Sequence, residues 1–322
     1  MAMERAGVRI VRKPWGCADL RPWSEVQNHG DAIGELWFQR DDITNREPAL
    51  LLKLLFTNQP LSIQVHPDDA YARSIGLPNG KTEAWYILSA TPDAKIAVGL
   101  NRTLDAAQLR ASIADQSIAD MIQWRSVVKD DVVLIPAGTI HAIGAGLVIA
   151  EIQQRSEATF RMYDHGRQRE LHIDDAVASA NANLPPVQTA PRRLTDARTL
   201  LTADTHFVLE RIDLLPGSDC DINAERETWL FTLGGHARIG LMNLFKGDAV
   251  FLEAHRDRIT VGVDGFQGLL AYPGPDPAMN LLQGSVDRIH VPAIEPLPHL
   301  SLYEQAMIGT AANSLGALTW RP

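Results

Sequence analysis

Cysteine is scarce in this sequence, which has only Cys17 and Cys220 among its 322 residues. Two cysteines so far apart do not indicate the disulfide framework of a small secreted domain, and they favour a reducing compartment. We therefore expect a cytoplasmic protein. Long apolar runs are lacking as well, because the most apolar stretch, residues 50–56, is short and contains Lys53. This lack, together with the charged residues 1–13, predicts no signal peptide and no membrane span.

Positive charge is also in short supply. The formal net charge is -9 and the isoelectric point is about 5.6. General binding of nucleic acid or anionic lipid needs a spread positive field, so we expect neither partner. An anionic small molecule would need a local basic pocket. With 45% hydrophobic and 21% charged residues the composition is typical of a globular protein, and 322 residues suffice for two modules.

Short runs rich in Val, Ile, Leu, Trp and Phe, separated by turn residues, predict a β-rich fold. The runs with the clearest strand pattern are residues 61–65, 84–88, 132–135 and 147–152. Residues 104–124 and 172–181 have apolar residues close to helical spacing, so helices are expected there. The proline-rich residues 184–191 can continue neither a helix nor a central strand, and we place a module boundary there.

An internal echo supports the two-module interpretation. Residues 83–87 (EAWYI) resemble residues 227–231 (ETWLF), and residues 129–135 (KDDVVLI) resemble residues 246–252 (KGDAVFL). The two matches differ in offset by roughly the length of the first expected helix. An insertion in one copy of a duplicated module would give this difference.

Four polar residues of the first copy indicate a metal site. Gln64 and His66 are two apart on an expected strand, so their side chains share one face. Glu83 begins another strand-like run, and His141 follows the turn at residues 136–140. Two imidazoles, a carboxylate and an amide oxygen suit one divalent first-row metal ion, zinc above all.

The second copy provides an internal control for this prediction. Alignment on Lys246 places Arg258 where His141 stands in the first copy, and no Gln-x-His pair precedes Glu227. A guanidinium cannot ligate a metal. The ligand set is therefore specific to the first copy, which predicts a single metal site.

Six segments together resemble the class I mannose-6-phosphate isomerases in their short bacterial form. They are residues 13–16, 33–37, 61–69, 80–86, 136–142 and 159–167. The resemblance implies a mainly β protein of two cupin-type (jelly-roll) β-barrels with short inserted helices. We expect a metal-binding barrel at residues 1–184, with a helical insertion at about 103–124, and a metal-free barrel at 185–275. Residues 276–322 extend beyond the likeness.

The resemblance also implies roles for seven residues. The zinc ligands are Gln64, His66, Glu83 and His141, the residues at the phosphate end of the substrate are Ser62 and Lys81, and the catalytic residue is Arg161. The implied partner is a small sugar phosphate, and the implied activity is the interconversion of mannose 6-phosphate and fructose 6-phosphate. The chain is expected to be a monomer or a homodimer.

This reaction moves a proton between C1 and C2 through an enediol, with charge developing on the adjacent oxygen. Glu151 lies in a strand-like run and should face the same cavity, so we assign it as proton shuttle, with Lys81 as the rival base. Burial and nearby positive charge act oppositely on the Glu151 pKa, and we expect no net shift. Arg161 suits a developing oxyanion. Lys81, Arg161 and Arg167, with the Ser62 hydroxyl, are expected to bind phosphate, although a surface role suits Arg167 equally.

Several alternatives remain open. The fold also suits a non-catalytic sugar-binding protein, an isomerase of another sugar phosphate, or an iron- or manganese-dependent oxygenase or epimerase. We assign Trp15, Trp85 and Trp229 to packing and not to the site. Residues 292–298 are interpreted as a linker, and residues 300–319 as a helix that packs on the protein.

Overall fold

Strands dominate the computed structural model, which describes residues 2–26, 32–40, 47–182 and 188–284. The strands are β1 Ala2–Arg5, β2 Gly7–Cys17, β3 Ile33–Gln39, β4 Leu50–Thr57, β5 Ile63–Val65, β6 Glu83–Ala90, β7 Lys95–Leu100, β8 Ile122–Ser126, β9 Val132–Ile135, β10 His141–Ile143, β11 Leu147–Gln154, β12 Phe160–Tyr163, β13 Arg192–Arg193, β14 Arg198–Ala203, β15 Phe207–Leu214, β16 Asp219–Ala224, β17 Thr228–Ile239, β18 Met242–Leu244, β19 Ala249–Glu253, β20 His255–Pro273 and β21 Leu282–Gly284. The helices are α1 Asp69–Ser74, α2 Ala106–Ala114, α3 Ile118–Met121 and α4 Ile173–Ser179. The predicted mainly β class is confirmed.

Two antiparallel sheets of the first half face each other. One has the strand order β2-β3-β4-β11-β6-β9, and the other has the order β12-β5-β10-β7-β8. Apolar side chains from both sheets, among them Leu55, Trp85, Ile96 and Ile149, form one buried cluster between them. This packing explains why alternate residues of β6 and β11 point into a shared interior.

The ten-stranded sheet consists of β1 and the strands from β13 to β21. Its apolar residues, including Trp229 and Phe251, form a buried cluster with Leu52 and Leu54 from the other face of the six-stranded sheet. Strand β4 is therefore packed on both faces, and every residue of Leu50–Thr57 is buried. That double burial explains the nearly continuous apolar run read from the sequence.

The segment after residue 275 contributes a strand. β21 pairs with β16, with Cys220 opposite Gly284. Residues 285–322, which include the expected linker and helix, lie outside the described part of the chain. Residues 183–187 of the expected module boundary also lie outside it.

The helix expected over residues 104–124 is only partly correct. Asp105 and Gln108 form a capping box at the start of α2. Gln116 then adopts a φ of 66°, which ends the helical path before the single turn of α3. Residues 122–126 form β8, because pairing with β7 satisfies their backbone. The expected helix at 172–181 is confirmed as α4.

None of the helices in the described residues has the length and apolar composition of a membrane span.

The internal echo corresponds to a repeated strand pairing. β6 pairs with β9, with Glu83 opposite Ile135, and β17 pairs with β19, with Thr228 opposite Leu252. The sequence alignment would instead place Glu227 opposite Leu252, so the two copies differ in register by one residue. A shift of one residue exchanges the faces of a strand. Accordingly, Trp85 and Trp229, which align in sequence, lie in different buried clusters.

Candidate functional site

A row of residues crosses the five-stranded sheet at the site. Arg161 of β12 is the cross-strand neighbour of Gln64 on β5, and Gln64 is the neighbour of His141 on β10. The row continues to Val98 on β7. Cross-strand neighbours point to the same face of a sheet, so these side chains share one surface. We call these four residues the Gln64 row.

A second row crosses the six-stranded sheet. It runs from Trp37 on β3 through Lys53 on β4 and Glu151 on β11 to Trp85 on β6 and Val133 on β9. We call these five residues the Glu151 row. The two rows meet where the ring of Trp85 lies edge-on to the ring of His141, with ring centroids 5.5 Å apart. The site therefore lies between the two sheets of the first half.

Three potential metal ligands converge between the rows. His66, Glu83 and His141 are buried, and one ligand atom from each lies within 4.8 Å of the others. The Nε2 atom of His66 is 3.3 Å from Glu83 Oε2, and that of His141 is 3.5 Å from Glu83 Oε1. The structure thus brings together three of the four predicted ligands in a geometry that can hold a metal ion.

The other imidazole nitrogens fix how these rings are oriented. His66 Nδ1 lies 2.8 Å from the carbonyl of Ala158, and His141 Nδ1 lies 2.8 Å from the carbonyl of Thr139. Each Nδ1 therefore donates its hydrogen, which leaves Nε2 unprotonated, so that its lone pair can accept a hydrogen bond or bind a metal ion. Burial, followed by the charge of Lys81, lowers the pKa of His66 to about 3. Burial also lowers the pKa of His141. Neutral imidazoles are the form that binds metals.

Lys81 provides positive charge next to the same carboxylate. Its Nζ atom is 3.0 Å from Glu83 Oε2 and 3.1 Å from His66 Nε2. Burial raises the pKa of Glu83, but the charge of Lys81 and the contact with His66 lower it more, so the pKa of Glu83 lies well below its usual range. Despite the ion pair, the buried Oε2 atom accepts no well-aligned hydrogen bond. An ionised carboxylate oxygen in this state is suited to bind a cation.

Gln64 and Ser62 lie beside the three clustered residues. Gln64 Nε2 is 3.2 Å from His141 Nε2, and Gln64 Oε1 accepts a hydrogen bond of 3.2 Å from the Ser62 hydroxyl. Amide oxygen and nitrogen are interchangeable by rotation of the amide group. Ligation through Oε1 requires that rotation, so the role of Gln64 stays a prediction.

Glu151 is buried within its row, as expected, but the prediction of an unshifted pKa is wrong. Its Oε1 atom is 3.4 Å from Lys53 Nζ, and its Oε2 atom accepts a hydrogen bond of 3.2 Å from Trp85 Nε1. Burial, followed by the charge of Glu83, raises the pKa of Glu151. Lys53 and Lys81 lower it, but by less. Complete desolvation of the Glu151 carboxyl raises its pKa more than Lys53 and Lys81 lower it, because these lysines also pair with Glu35 and Glu83.

The two predicted arginines have different surroundings. Arg161 is half-buried in the Gln64 row, and its guanidinium donates to the carbonyl of Glu170 at 3.0 Å. Arg167 donates to Asp164 Oδ1 at 2.8 Å and to the carbonyl of Pro60 at 2.8 Å. Arg161 is therefore placed beside a predicted ligand, whereas Arg167 is held by Asp164. The phosphate role of Arg167 stays a prediction.

Sequence reasoning missed three residues of this region. Lys53 and Glu35 are buried and connect Glu151 to Lys13, since Glu35 lies 3.9 Å from Lys53 and 3.3 Å from Lys13. Trp85 was assigned to packing, and it does pack, but its indole also donates to Glu83 and Glu151. A signal for Lys53 existed, because a cation within an otherwise apolar strand is rarely buried without a partner.

The residues that line a cavity of about 530 Å³ do not overlap with the predicted site. This cavity is lined by residues of the β4–β5, β6–β7 and β10–β11 turns, with Lys95, Trp124 and His165. None of the nine predicted site residues is among them. We therefore place the candidate site at the buried cluster and not at this cavity, because the titratable groups with strongly shifted pKa values converge at the cluster.

Relatives of known name are similar over part of the chain. A mannose-6-phosphate isomerase from Streptococcus mutans is 41% identical over 158 residues, which are 46% of this chain and 50% of that protein. The mannose-6-phosphate isomerase ManA from Bacillus subtilis is 37% identical over 168 residues, 48% of this chain and 53% of that protein. The chain thus spans about half the length of these curated relatives. No family model matches the sequence.

Solved structures share the fold over a greater length. The mannose 6-phosphate isomerase from Bacillus subtilis has a TM-score of 0.73 at 22% identity and covers 84% of this chain and 100% of its own. A putative mannosephosphate isomerase from Archaeoglobus fulgidus has a TM-score of 0.66 at 17% identity, with 84% and 97% covered. At these identities the likeness establishes the fold. With the relatives above, it confirms the resemblance recognised in the sequence.

Proposed function

We propose that this chain is a metal-dependent isomerase that interconverts mannose 6-phosphate and fructose 6-phosphate. The observation that carries the proposal is the buried convergence of His66, Glu83 and His141, with ligand atoms within 4.8 Å of one another. The relatives named for this activity support the choice of reaction. A structural role alone does not account for two neutral imidazoles directed at an ionised carboxylate.

The proposed metal is one zinc ion per chain. Imidazole nitrogens with carboxylate and amide oxygens form a donor set that suits zinc, and the proposed ligands are Gln64, His66, Glu83 and His141. When bound, zinc acts as a Lewis acid that polarises carbonyl and hydroxyl oxygens of a sugar. The Nδ1 contacts of both histidines with backbone carbonyls supply the outer support that metal ligands need.

The proton shuttle of the proposal is Glu151. It takes the proton from C2 of the aldose and returns it to C1 to complete the ketose, while the hydroxyl proton passes from O2 to O1 through the enediol. A general base works best with a pKa close to the working pH, and burial raises the pKa of Glu151 in that direction. Lys81 is the rival base, but its contact with Glu83 holds it as an ammonium, because nearby carboxylates raise its pKa more than burial lowers it.

The remaining residues bind the two ends of the substrate. Arg161 stabilises the charge on the oxygen next to the reacting carbons, in line with its position beside Gln64. Lys81 and the Ser62 hydroxyl hold the phosphate, with Arg167 as a further donor. A cytoplasmic location is part of the proposal, supported by the scarcity of cysteine, with only Cys17 and Cys220 in the sequence.

A coupled assay on mannose 6-phosphate tests the proposal when it is combined with metal analysis before and after chelation. We expect about one zinc per chain, turnover that disappears on chelation, and recovery when zinc is restored. Turnover that persists after complete metal removal rejects the mechanism. Binding without turnover would support the sugar-binding alternative, and turnover only of other sugar phosphates would reassign the substrate.

A matched pair of variants sharpens this test. Glu83→Gln removes a proposed ligand, whereas Glu227→Gln makes the same change at the echoed position of the second copy. Glu227 accepts hydrogen bonds from the backbone of Ala49 and Leu50, away from the three clustered residues. We expect only Glu83→Gln to lose zinc and turnover. Equal zinc content and turnover in the two variants would remove Glu83 from the metal site.

A further inference from the structure

The indole N–H of Trp85 lies between two buried carboxylates. Trp85 Nε1 is 3.1 Å from Glu83 Oε1 and 3.2 Å from Glu151 Oε2. The indole side chain is fully buried, with 0% of its surface exposed. One donor is thus shared by the proposed metal ligand and the proposed proton shuttle.

The fold determines this arrangement. Trp85 and Glu151 are direct cross-strand neighbours on β6 and β11, and Glu83 is two residues before Trp85 on the same face. The ring of Trp85 is also edge-on to His141, with an interplanar angle of 69°. One rigid side chain therefore contacts two proposed metal ligands and the shuttle.

We propose that Trp85 is a positioning residue of the site, which holds the Glu83 and Glu151 carboxylates in the orientation that metal binding and proton transfer require. The proposal rests on the proposed function for the identity of the reaction. Carboxylates that bind metals are commonly oriented by an outer hydrogen-bond donor, and loss of such a donor typically weakens metal binding about 10-fold to 100-fold. The indole holds Glu83 through Oε1, so Oε2 stays directed at Lys81 and His66.

A role in packing alone is the alternative, and Trp229 provides a matched control for it. Trp229 is equally buried, packs edge-on against Phe251 with centroids 5.2 Å apart, and occupies the echoed position of the second copy. Its indole donates to the backbone carbonyl of Leu50 at 3.3 Å and to neither carboxylate of the site. Trp229→Phe and Trp85→Phe therefore remove the same ring volume and one indole donor each.

The test compares zinc affinity, kcat, KM and Tm of the two variants with those of the unchanged 322-residue chain. We expect similar losses in Tm, but only Trp85→Phe should weaken zinc binding, by about 10-fold or more in a chelator competition titration. At saturating zinc its kcat should fall by a larger factor than its KM changes. Equal zinc affinities of the two variants, within about 2-fold, would overturn the proposal.

A second variant covers the case in which Trp85→Phe does not fold. Incorporation of 3-benzothienylalanine at position 85 keeps the shape of the indole and replaces the N–H group by sulfur. Weaker zinc binding in this chain supports the proposal, and unchanged zinc binding and kcat overturn it. If the unchanged chain binds no zinc and has no turnover, the proposed function fails. If it binds zinc and turns over while the position-85 variants do the same, only the role of Trp85 fails.

Discussion

Lys53 and Glu151 are direct cross-strand neighbours whose charged groups lie 3.4 Å apart in the interior of the first half. Lys53 also lies over the ring of Trp37, with Nζ 4.4 Å from its centroid. Burial lowers the pKa of Lys53, partly against the attraction of Glu151. Burying two charged groups costs desolvation free energy, which their mutual attraction offsets, so removal of either residue should destabilise the fold.

Replacing Lys53 by Met should therefore destabilise the fold. The change leaves Glu151 buried without its cation, and breaking such a buried pair typically costs about 3–5 kcal/mol. Urea unfolding of Lys53→Met measures the loss. The double variant Lys53→Met with Glu151→Gln should recover part of it, because both charges are then removed. A loss smaller than about 1 kcal/mol in the single variant would contradict the assignment of a buried ion pair.

Glu151→Gln tests the proton shuttle. Since Gln cannot take up a proton, kcat should fall about 100-fold or more while zinc stays bound. Glu210→Gln is the control, because Glu210 is also buried and paired, with its Oε2 2.8 Å from Arg198 Nε in the second half. The control should lose stability and keep turnover. Near-normal kcat in Glu151→Gln would leave Glu151 with a structural role only.

Arg161→Lys tests the oxyanion role. A Lys keeps the charge but not the planar donor group, and loss of one preorganised donor costs about 3 kcal/mol, or roughly 100-fold in kcat/KM. Arg155→Lys is the matched control, because Arg155 also donates to a backbone carbonyl, that of Pro48 at 2.7 Å. In steady-state kinetics, kcat/KM should fall in Arg161→Lys and stay near that of the unchanged chain in Arg155→Lys. Equal kcat/KM values would place Arg161 outside the reaction.

The ion pairs of Asp164 predict how the free energy of unfolding changes at acidic pH. Burial raises its pKa, but hydrogen bonds from Arg169 and Arg167 lower it more, so the folded-state pKa lies below the unfolded value of about 3.9. A lowered carboxyl pKa contributes stability that is fully present above the unfolded pKa and is lost as the pH falls through the folded pKa.

The free energy of unfolding should therefore fall as the pH is lowered below about 4, and Asp164→Asn should flatten that dependence. The unchanged chain provides the reference slope. Denaturant titrations at a series of pH values measure both slopes. An unchanged slope in Asp164→Asn would show that other carboxyls dominate acid unfolding.

The alternation of side chains between the two faces of a strand predicted much of the candidate site. Gln64 and His66 were predicted to share a face, and Glu83 and His141 were expected to converge with them from other strands. The structure brings His66, Glu83 and His141 together. Local sequence was sufficient here because strand periodicity and the turns before each strand determine which way these side chains point.

Contacts between strands distant in sequence were not predictable in the same way. Lys53 and Glu151 are 98 positions apart in the numbering, and only the β4–β11 register makes them neighbours. The end of the helix expected over residues 104–124 was missed for a similar reason, because residues 122–126 pair with β7 instead of continuing a helix. The difference of one residue in register between Trp85 and Trp229 also appears only in the pairing, since the segments 83–87 and 227–231 themselves align without a gap.

The position of β1 links the first described residues to the second half of the chain. Ala2–Arg5 pairs with Ala249–Glu253 in the ten-stranded sheet, while the next strand, β2, lies in the six-stranded sheet. Residues 2–5 therefore form the edge strand of the ten-stranded sheet, whose other strands all follow residue 191, and they pair across a sequence separation of about 250 positions. Such non-local closure is slow to form and couples the halves, so heat should melt both in one cooperative step.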